Sequence, residues 1–545
     1  MFRYCGASNA KFNYDKVDAF SVSGRDTWDV WEAPLSAANI QHLHSVEDDE
    51  PLIYLGFPLV QSRVQRVNYV GTLVTKIKTA IHIHSTCSLS VVGKTTVLNS
   101  LLLSKLWYVL RVTPLTLSEL QQLRSLAIQF LRKRIFPVIP WKIWTLLKDQ
   151  GGLGVLDIQV QASAMYFRWL QPLLTQDQAI LDAHPVSCLL SYHIRNVTGC
   201  QHHQIPLLFP SARSQGLMKQ RVGTIDMLYR AIDYLPRSPS STGINTATAM
   251  ALPLQAAFFV PPSSSFEIPL RVKEMVVSDV FQYDARLNFV HWKDTRDPSL
   301  LQWKRTPNTI FRALASGKLQ FQPYFVPVCS PAPLIDSTVS FAPLVQQFRL
   351  EDGQPLITTT ASAKAFRLTV LASASTPLRL RTVSAANWKF FWSLSLTYIQ
   401  RNVIYRYIVG CIPHRRFLHR IMPTVFESPL CPVCLSVEDS PSHLLFYCPS
   451  KERVWQGVIF EFLWPTTTIH DVEEALRFLD FSNIWYCQLK GIKPSRILII
   501  AISQLWLAHM RFIYDSTPID HTAILASIRN NVRQNIEEDQ CHSLL

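Results

Sequence analysis

Glycine and charge are both scarce in this chain. Only 17 of its 545 residues are glycine and 17% are charged, while 48% are hydrophobic. This composition excludes a largely disordered protein, because a chain with so much apolar surface and so little charge can build a core. The length exceeds that of one ordinary domain, so the sequence predicts two to four domains.

Signals for export or membrane insertion are also missing. The first ten residues, MFRYCGASNA, contain no charged segment followed by an apolar one, so no signal peptide is predicted. The longest apolar run, 14 residues between Arg496 and Arg511, is shorter than the roughly 20 residues that span a bilayer. We therefore expect an intracellular protein, nuclear or cytoplasmic, with no membrane partner. In that reducing environment, clustered cysteines favour metal binding over disulfides.

Acidic residues are nearly absent from residues 61–150. Thirteen Lys/Arg residues stand there against Glu119 and Asp149, so this segment carries +11 of the chain's net charge of +14. A local surplus on a segment with helical apolar periodicity indicates a phosphate-backbone partner, and a solvated basic face is the alternative interpretation. The candidate nucleic-acid contacts in this segment are Lys76, Lys78, Lys94, Lys105, Arg132, Lys133 and Arg134.

A second basic segment without acids runs from residue 401 to residue 420. Its five arginines are interleaved with Tyr405, Tyr407 and Phe417, a mixture that suits phosphate contact together with base stacking. An ordinary exposed helix face is again the alternative interpretation. The candidate nucleic-acid contacts here are Arg401, Arg406, Arg415 and Arg416.

One tight group of cysteine and histidine residues has the spacing of a metal site. Cys431 and Cys434 form a Cys-x2-Cys pair, and His443 and Cys448 follow after eight and four intervening residues. Two thiolates can chelate from one turn, and four S/N donors make a closed tetrahedral site typical of structural zinc. The sequence therefore predicts one zinc ion here, with Cys411 as a possible substitute ligand.

Helical periodicity dominates the rest of the pattern. Residues 1–60 contain short strand-like runs such as 52–55, which Gly56 ends. From about residue 64 to 174, and again from 388, apolar residues recur at three- and four-residue spacing. Between these segments, Ser/Pro-rich stretches break the pattern and predict no particular fold. The expected fold class is therefore α+β, mainly α.

Three further segments carry recognisable residue patterns: Ala7–Asn13 with Lys16, residues 19–23 and residues 54–59. In this order they resemble segments of non-LTR (LINE-type) retrotransposon reverse transcriptases. The first two resemble the segment just after that family's catalytic motif, and residues 54–59 resemble its primer-grip hairpin. Residues 98–108 and the Gly-Gly-Leu-Gly sequence at 151–154 resemble its thumb. Residues 388–450, which contain the Cys/His group, are similar to its C-terminal zinc-binding domain. The resemblance covers about residues 1–175 and 385–515.

The resemblance implies a domain order and a partner. It implies palm-remnant strands in residues 1–60, a helical thumb in 61–175, a small zinc-binding domain in 386–460 and a helical tail in 461–545. An irregular connector of unknown fold, residues 176–385, lies between them. It also implies binding of RNA and DNA as a template–primer duplex, with zinc as the cofactor.

The catalytic aspartates of that family are not found. They belong upstream of the stretch matching Ala7–Asn13, and no Tyr/Phe-x-Asp-Asp sequence occurs in the chain. Polymerisation needs these carboxylates to hold two magnesium ions, so we expect no polymerase activity from this chain alone. The leading hypothesis is a truncated C-terminal part of the transposable-element enzyme that retains zinc-dependent nucleic-acid binding. The alternatives are a part of an active RNA-directed DNA polymerase whose frame continues upstream, and a zinc-containing protein-interaction module.

Overall fold

The computed structural model describes residues 17–133, 135–175, 178–213, 223–237, 243–294, 296–331, 338–349, 353, 355, 362–372, 376–485 and 492–544. Helix accounts for 59% of the structure and strand for 6%. The predicted α+β, mainly α, class is therefore confirmed. Two predicted features, the stretch Ala7–Asn13 with Lys16 and the nucleic-acid contact Arg134, lie outside the described residues.

The α-helices are distributed along the whole described chain. Up to residue 175 they are α1 (Trp28–Ala37), α2 (Arg63–His84), α3 (Val91–Val97), α4 (Ser104–Val109), α5 (Leu117–Arg132), α6 (Trp141–Thr145) and α7 (Ile158–Leu174). From residue 178 to 372 they are α8 (Gln178–Asp182), α9 (Pro185–Thr198), α10 (Gln204–Leu208), α11 (Gly223–Asp233), α12 (Thr246–Ala251), α13 (Val277–Val280), α14 (Thr306–Ala315), α15 (Ala342–Val345) and α16 (Ala363–Ala372). Beyond residue 376 they are α17 (Leu378–Arg381), α18 (Ala385–Ser393), α19 (Tyr398–Ile408), α20 (Arg415–Ile421), α21 (Pro449–Phe462), α22 (Ile469–Phe478), α23 (Pro494–Asp515) and α24 (His521–Leu544).

The strands are short and pair two by two among the described residues. In parallel pairing, β1 (Ala19–Phe20) lies beside β2 (Leu43–His44). In antiparallel pairing, β3 (Leu52–Tyr54) lies beside β4 (Phe57–Leu59), β5 (Phe258–Phe259) beside β8 (Gln320–Phe321), and β6 (Phe281–Asp284) beside β7 (Phe289–Trp292).

Contact density divides the structure into two units, each made from three stretches of the chain. Unit 1 takes its described residues from 1–71, 106–121 and 158–374, and unit 2 from 72–105, 122–157 and 375–545. Each predicted domain is one continuous stretch of the chain, whereas both units are discontinuous. The division into units does not test the predicted domain boundaries, which remain predictions.

A hairpin, which the family resemblance implies at residues 54–59, is present in unit 1. Leu55 (φ 50°) and Gly56 (φ 82°) connect β3 to β4 with two left-handed residues, the turn conformation that matches the twist of paired strands. Tyr108 covers this turn. Its ring stacks on Phe57 with centroids 4.0 Å apart, and its hydroxyl donates to the Leu55 carbonyl at 2.7 Å. The role of this hairpin as a primer grip stays a prediction.

Helix α7 is the centre of the helical part of unit 1. It packs against α11 and α16, and its Tyr166, Phe167 and Leu170 are fully buried. Arg367 on α16 donates a hydrogen bond to the side-chain oxygen of Gln161 on α7. The apolar periodicity of residues 158–174 thus corresponds to a helix that is covered from several sides.

An aromatic cluster organises part of the segment for which the sequence predicted no particular fold. The ring centroids of Phe258 on β5, Phe281 on β6 and Phe321 on β8 lie 5.4–6.4 Å apart. Because β5 pairs with β8 and β6 pairs with β7, the cluster joins the two small sheets. Strands of two to four residues are too short to show a clear alternation of apolar and polar side chains, which explains the weak pattern.

The Gly-Gly-Leu-Gly sequence at residues 151–154 of unit 2 forms a turn that other groups approach closely. Gly151 is left-handed (φ 80°), and its carbonyl accepts the Tyr405 hydroxyl at 3.0 Å. A Cβ on Gly151 would lie 2.6 Å from the Trp388 ring, and a Cβ on Gly152 would lie 2.1 Å from the Leu146 carbonyl oxygen. Only glycine fits at these two positions.

Substitution of Gly152 by alanine is expected to destabilise unit 2 by at least about 1–3 kcal/mol, because the Leu146 carbonyl is backbone and the structure must shift to admit a methyl group. The urea midpoint of unfolding, followed by tryptophan fluorescence, measures the effect. Gly71→Ala is the matched control, since a Cβ there meets nothing within 4 Å and alanine favours a helix interior by up to about 1 kcal/mol. Equal midpoints for the two variants would contradict the close-contact explanation.

The 14-residue apolar run between Arg496 and Arg511, which fits either a buried or a partner-facing helix, lies in α23 of unit 2. This helix is long and apolar enough to cross a membrane by those two criteria, but half of its apolar stretch is buried inside the protein, as in a core helix. Residues 497–502 are all essentially inaccessible, and α19, α21, α22 and α24 pack around the helix. It is longer than the predicted run because Pro494 begins it and a left-handed Ser516 ends it.

Candidate metal centre and basic surface of unit 2

The first half of the Cys/His group lies in a tight turn. The Cys431 amide donates to the Val437 carbonyl at 2.8 Å, and the Leu435 amide donates back to the Cys431 carbonyl at 2.9 Å. Leu435 itself is left-handed, with φ 56°. These bonds fold the Cys-x2-Cys segment so that the thiols of Cys431 and Cys434 approach each other.

The second half is presented by a π-helical turn at His443–Tyr447. The Cys448 amide closes this turn by donating to the His443 carbonyl at 2.9 Å, and the Cys448 carbonyl then accepts the Lys451 amide at 2.7 Å at the start of α21. The prediction of helical structure around His443 and Cys448 therefore corresponds to a π-turn followed by a helix. Single π-turns are frequent at functional sites.

The structure brings the four side chains together. Their ligand atoms, three Sγ and one imidazole nitrogen, all lie within 4.8 Å of one another. Cys431 Sγ is 4.0 Å from Cys448 Sγ, and Cys434 Sγ is 3.4 Å from His443 Nε2. A tetrahedral ion with the usual zinc bond lengths separates its ligand atoms by about 3.5–3.8 Å, so both separations are close to those of a tetrahedral site.

The two buried thiols of the group, those of Cys431 and Cys448, are in contact, with their Sγ atoms 4.0 Å apart. Their contact lowers the pKa of Cys431 well below its usual range and raises that of Cys448. At Cys434, burial raises the pKa, but hydrogen bonds from Ser436, Val437 and His443 outweigh it, so the net shift is downward. The site thus favours thiolate at two of its three cysteines, and thiolate is the form that binds metal.

Cys411, the possible substitute ligand, is engaged elsewhere. Its buried thiol lies 3.8 Å from the carbonyl oxygens of Val138 and Val409. It is not part of the four-residue group. The geometry therefore favours Cys431, Cys434, His443 and Cys448 as the ligand set.

Two buried charged residues beside the group were missed by the sequence reasoning. Lys451 is 1% exposed, and its ammonium donates to the Leu444 carbonyl and to His509 Nδ1 at 3.2 Å. Asp439 is also 1% exposed and accepts the Arg415 amide at 2.7 Å. Burial lowers the pKa of Lys451 and raises that of Asp439. Neither residue belongs to a spacing motif, so only the packing reveals them.

Three of the predicted nucleic-acid contacts line one surface of unit 2. Lys78 on α2, together with Arg132 and Lys133 at the end of α5, borders a concavity of about 560 Å³. All three side chains are exposed, and they form no ion pair among the described residues. Lys76 is exposed too, but two residues along a helix it points about 200° away from Lys78. Lys105 is exposed on α4.

Three other predicted contacts have their positive groups engaged by backbone carbonyls. The buried Lys94 ammonium donates to the carbonyls of Leu131 and Lys133 at the C-terminus of α5, where a cation is stabilised by the helix dipole. Arg401 donates to the Leu394 carbonyl at 2.6 Å. Arg406 donates to the Cys411 carbonyl at 3.1 Å and also to the Phe136 carbonyl. These positions indicate structural roles for the three side chains.

Helix α20 carries the remaining predicted contacts beside the Cys/His group. Arg415 lies over the Phe426 ring at 5.0 Å, and the exposed Arg416 forms an ion pair with Glu438 at 3.3 Å. Phe417 of the same helix lies 6.2 Å, centroid to centroid, from Phe136. The two basic segments, distant in sequence, therefore meet in unit 2.

Two comparisons, with protein-family models and with curated proteins, found no match. No family model matches the chain, and no curated protein matches it either. The functional interpretation therefore rests on the geometry and charge of the site.

Proposed function

We propose that this chain binds nucleic acid through the basic surface of unit 2, and that a zinc ion held by Cys431, Cys434, His443 and Cys448 fixes part of that surface. The expected ligand is an RNA–DNA template–primer duplex, as for the C-terminal part of the non-LTR reverse transcriptases that the sequence resembles. Binding, rather than nucleotidyl transfer, is the activity proposed.

The observation that carries this proposal is the meeting of the two basic segments. The Arg406 guanidinium donates to the Phe136 carbonyl 270 residues away in the chain. Phe136 also pairs with Phe417 of α20 and follows Lys133 by three residues. The basic end of α5 and the basic helix α20 are thus neighbours, as one extended phosphate-binding surface requires.

The charge around this surface supports an anionic partner. Residues 72–84 and 122–136 contain no Asp or Glu, so Lys78, Arg132 and Lys133 have no acidic neighbours along the chain. Exposed cations without acidic partners attract the phosphate backbone and release its condensed counterions on binding. The alternative interpretation, an ordinary solvated basic face, does not explain why the cations gather around one concavity.

Zinc fits the four-residue group by the chemistry of its donors. Three thiolates and one imidazole satisfy a tetrahedral zinc ion and leave no position for a reacting water, so its contribution would be structural. Three thiolates around a divalent ion leave one negative charge, and the buried Lys451 ammonium lies nearby to offset it. Through the Asp439 contact with the Arg415 amide, the same loop positions the start of α20.

Fluorescence anisotropy of the purified full chain with a labelled RNA–DNA duplex tests the proposal. If three phosphate contacts form, log K is expected to fall with log salt with a slope of about −2.7, a loss of roughly 40-fold between 50 and 200 mM salt. Binding that is absent or insensitive to salt would overturn the proposal. Duplex DNA and single-stranded RNA of the same length distinguish shape preference from general phosphate binding.

A further inference from the structure

A second set of metal-ligand side chains lies in unit 1, far along the chain from the cysteines. His42 and His44 flank Leu43. Leu43 and His44 form β2, which pairs in parallel with β1. Alternate residues of a strand face the same side. Leu43 is 8% exposed and faces the core, so the two imidazoles lie together on the other side.

Asp48 completes this set from the turn that follows β2. Its Oδ1 is 3.0 Å from His42 Nε2, and its Oδ2 is 3.8 Å from His44 Nδ1. The two imidazole rings are nearly perpendicular, with centroids 4.6 Å apart. One ligand atom from each of the three residues lies within 4.8 Å of the other two. Two imidazoles and one carboxylate are a ligand set that divalent transition metals favour.

Hydrogen bonds to buried residues hold this turn in place. The Ser45 amide donates to Asp48 Oδ2 at 2.8 Å, and the Ser45 carbonyl accepts Gln65 Nε2 at 2.7 Å. Ser45 and Gln65 are both buried. The carboxylate is therefore oriented by a buried network, which is how proteins usually fix metal ligands.

One ring nitrogen in the set lacks a partner. His44 Nδ1 is buried and has no hydrogen-bond partner among the described residues. Its separation of 3.8 Å from Asp48 Oδ2 is too long for a hydrogen bond. A simple His–Asp ion pair leaves this buried nitrogen unsatisfied, whereas a metal ion placed between the three side chains satisfies it.

We propose that His42, His44 and Asp48 bind one divalent transition-metal ion of the zinc class. His42 Nε2, His44 Nδ1 and a carboxylate oxygen of Asp48 are the ligands. The His42 side chain is 57% exposed, so the site is accessible from solvent, and three protein ligands leave at least one position open to water or another ligand. The proposal is independent of nucleic-acid binding and of the cysteine site.

Zinc uptake by the full chain tests this site. Protein purified with its zinc is dialysed against buffered Zn²⁺, and bound metal per chain is measured by elemental mass spectrometry and by isothermal titration. Wild type is expected to hold one equivalent more than His42→Ala. Asp48→Asn, which still accepts the Ser45 amide but carries no charge, is expected to weaken binding of this equivalent more than tenfold. His82→Ala, which removes an exposed histidine of α2, is the matched control and is expected to equal wild type.

The readout is the difference between wild type and variant, so it stands whether or not the cysteine site is loaded. His42 is largely exposed, and the circular dichroism spectra of His42→Ala and Asp48→Asn are expected to match that of wild type. Equal uptake by wild type and both variants would overturn the proposal. An equal loss of bound zinc in His82→Ala would also overturn the proposal, because it would indicate unspecific binding by surface histidines.

Discussion

Replacement of Cys431 by serine is expected to abolish zinc binding at the cysteine site and to unfold the segment that the site holds together. Structural zinc binds zinc-finger peptides with an apparent free energy of about 10–16 kcal/mol, which is as large as the net stability of an ordinary domain, about 5–15 kcal/mol. Native mass spectrometry is expected to show one zinc ion fewer per chain. Hydrogen exchange is expected to show lost protection in residues 428–462.

Cys411→Ser provides the control for this substitution. Cys411 is also buried, but its thiol contacts backbone carbonyls and no member of the ligand group. It is expected to retain the zinc ion and the protection of residues 428–462. Zinc loss in Cys411→Ser together with zinc retention in Cys431→Ser would reverse the assignment of the ligand set.

Reversal of the charges around the concavity of unit 2 is expected to have the second large effect. In Lys78→Glu/Arg132→Glu/Lys133→Glu, three phosphate contacts are replaced by three repulsions. The affinity for the RNA–DNA duplex at about 0.1 M salt is expected to fall on the order of 10²–10³-fold, and the salt slope to lose about 2.7. Anisotropy titrations at several salt concentrations measure both quantities.

A variant with the same change of charge in unit 1 distinguishes an effect of the local surface on affinity from an effect of the net charge. Lys273→Glu/Arg286→Glu/Arg312→Glu replaces three exposed residues of unit 1 and changes the total charge by the same six units. This variant is expected to bind the duplex with little loss. Matching losses in the two triple variants would locate the effect in the overall charge. A partner captured after nuclease treatment would instead favour the protein-interaction alternative.

Features set by local chemistry could be predicted from the sequence. The Cys-x2-Cys turn, the close approach of Gly152 to Leu146 and the β3–β4 hairpin each depend on a few neighbouring residues. Gly56 and Gly152 show the reason, because a left-handed turn favours glycine and a close backbone approach requires it. The apolar periodicity of residues 158–174 was equally local and gave α7.

Features that depend on distant partners could not be predicted. Lys94 looked like a phosphate contact, but residues 37 and 39 positions away supply the carbonyls that take up its charge. The buried Lys451 and Asp439 have no spacing signal. His42-x-His44 was overlooked because its third member lies in a run of acids, residues 47–50, which reads as a solvated loop. The bond between the Ser45 amide and Asp48 singles out one carboxylate of that run.

Unit 2 is built from three separate stretches of the chain, and this has a consequence for its folding during synthesis. Residues 72–105 and 122–157 leave the ribosome early, yet Trp388 and Tyr405, which pack on their glycine turn, belong to residues 375–545. The intervening stretch, 158–374, takes about 10–45 s to translate at roughly 5–20 residues per second. Throughout that interval the glycine turn is present on the nascent chain without the two aromatic side chains that pack on it. A premature stop codon anywhere in that stretch would release a cationic polypeptide that lacks residues 375–545 and therefore cannot complete unit 2.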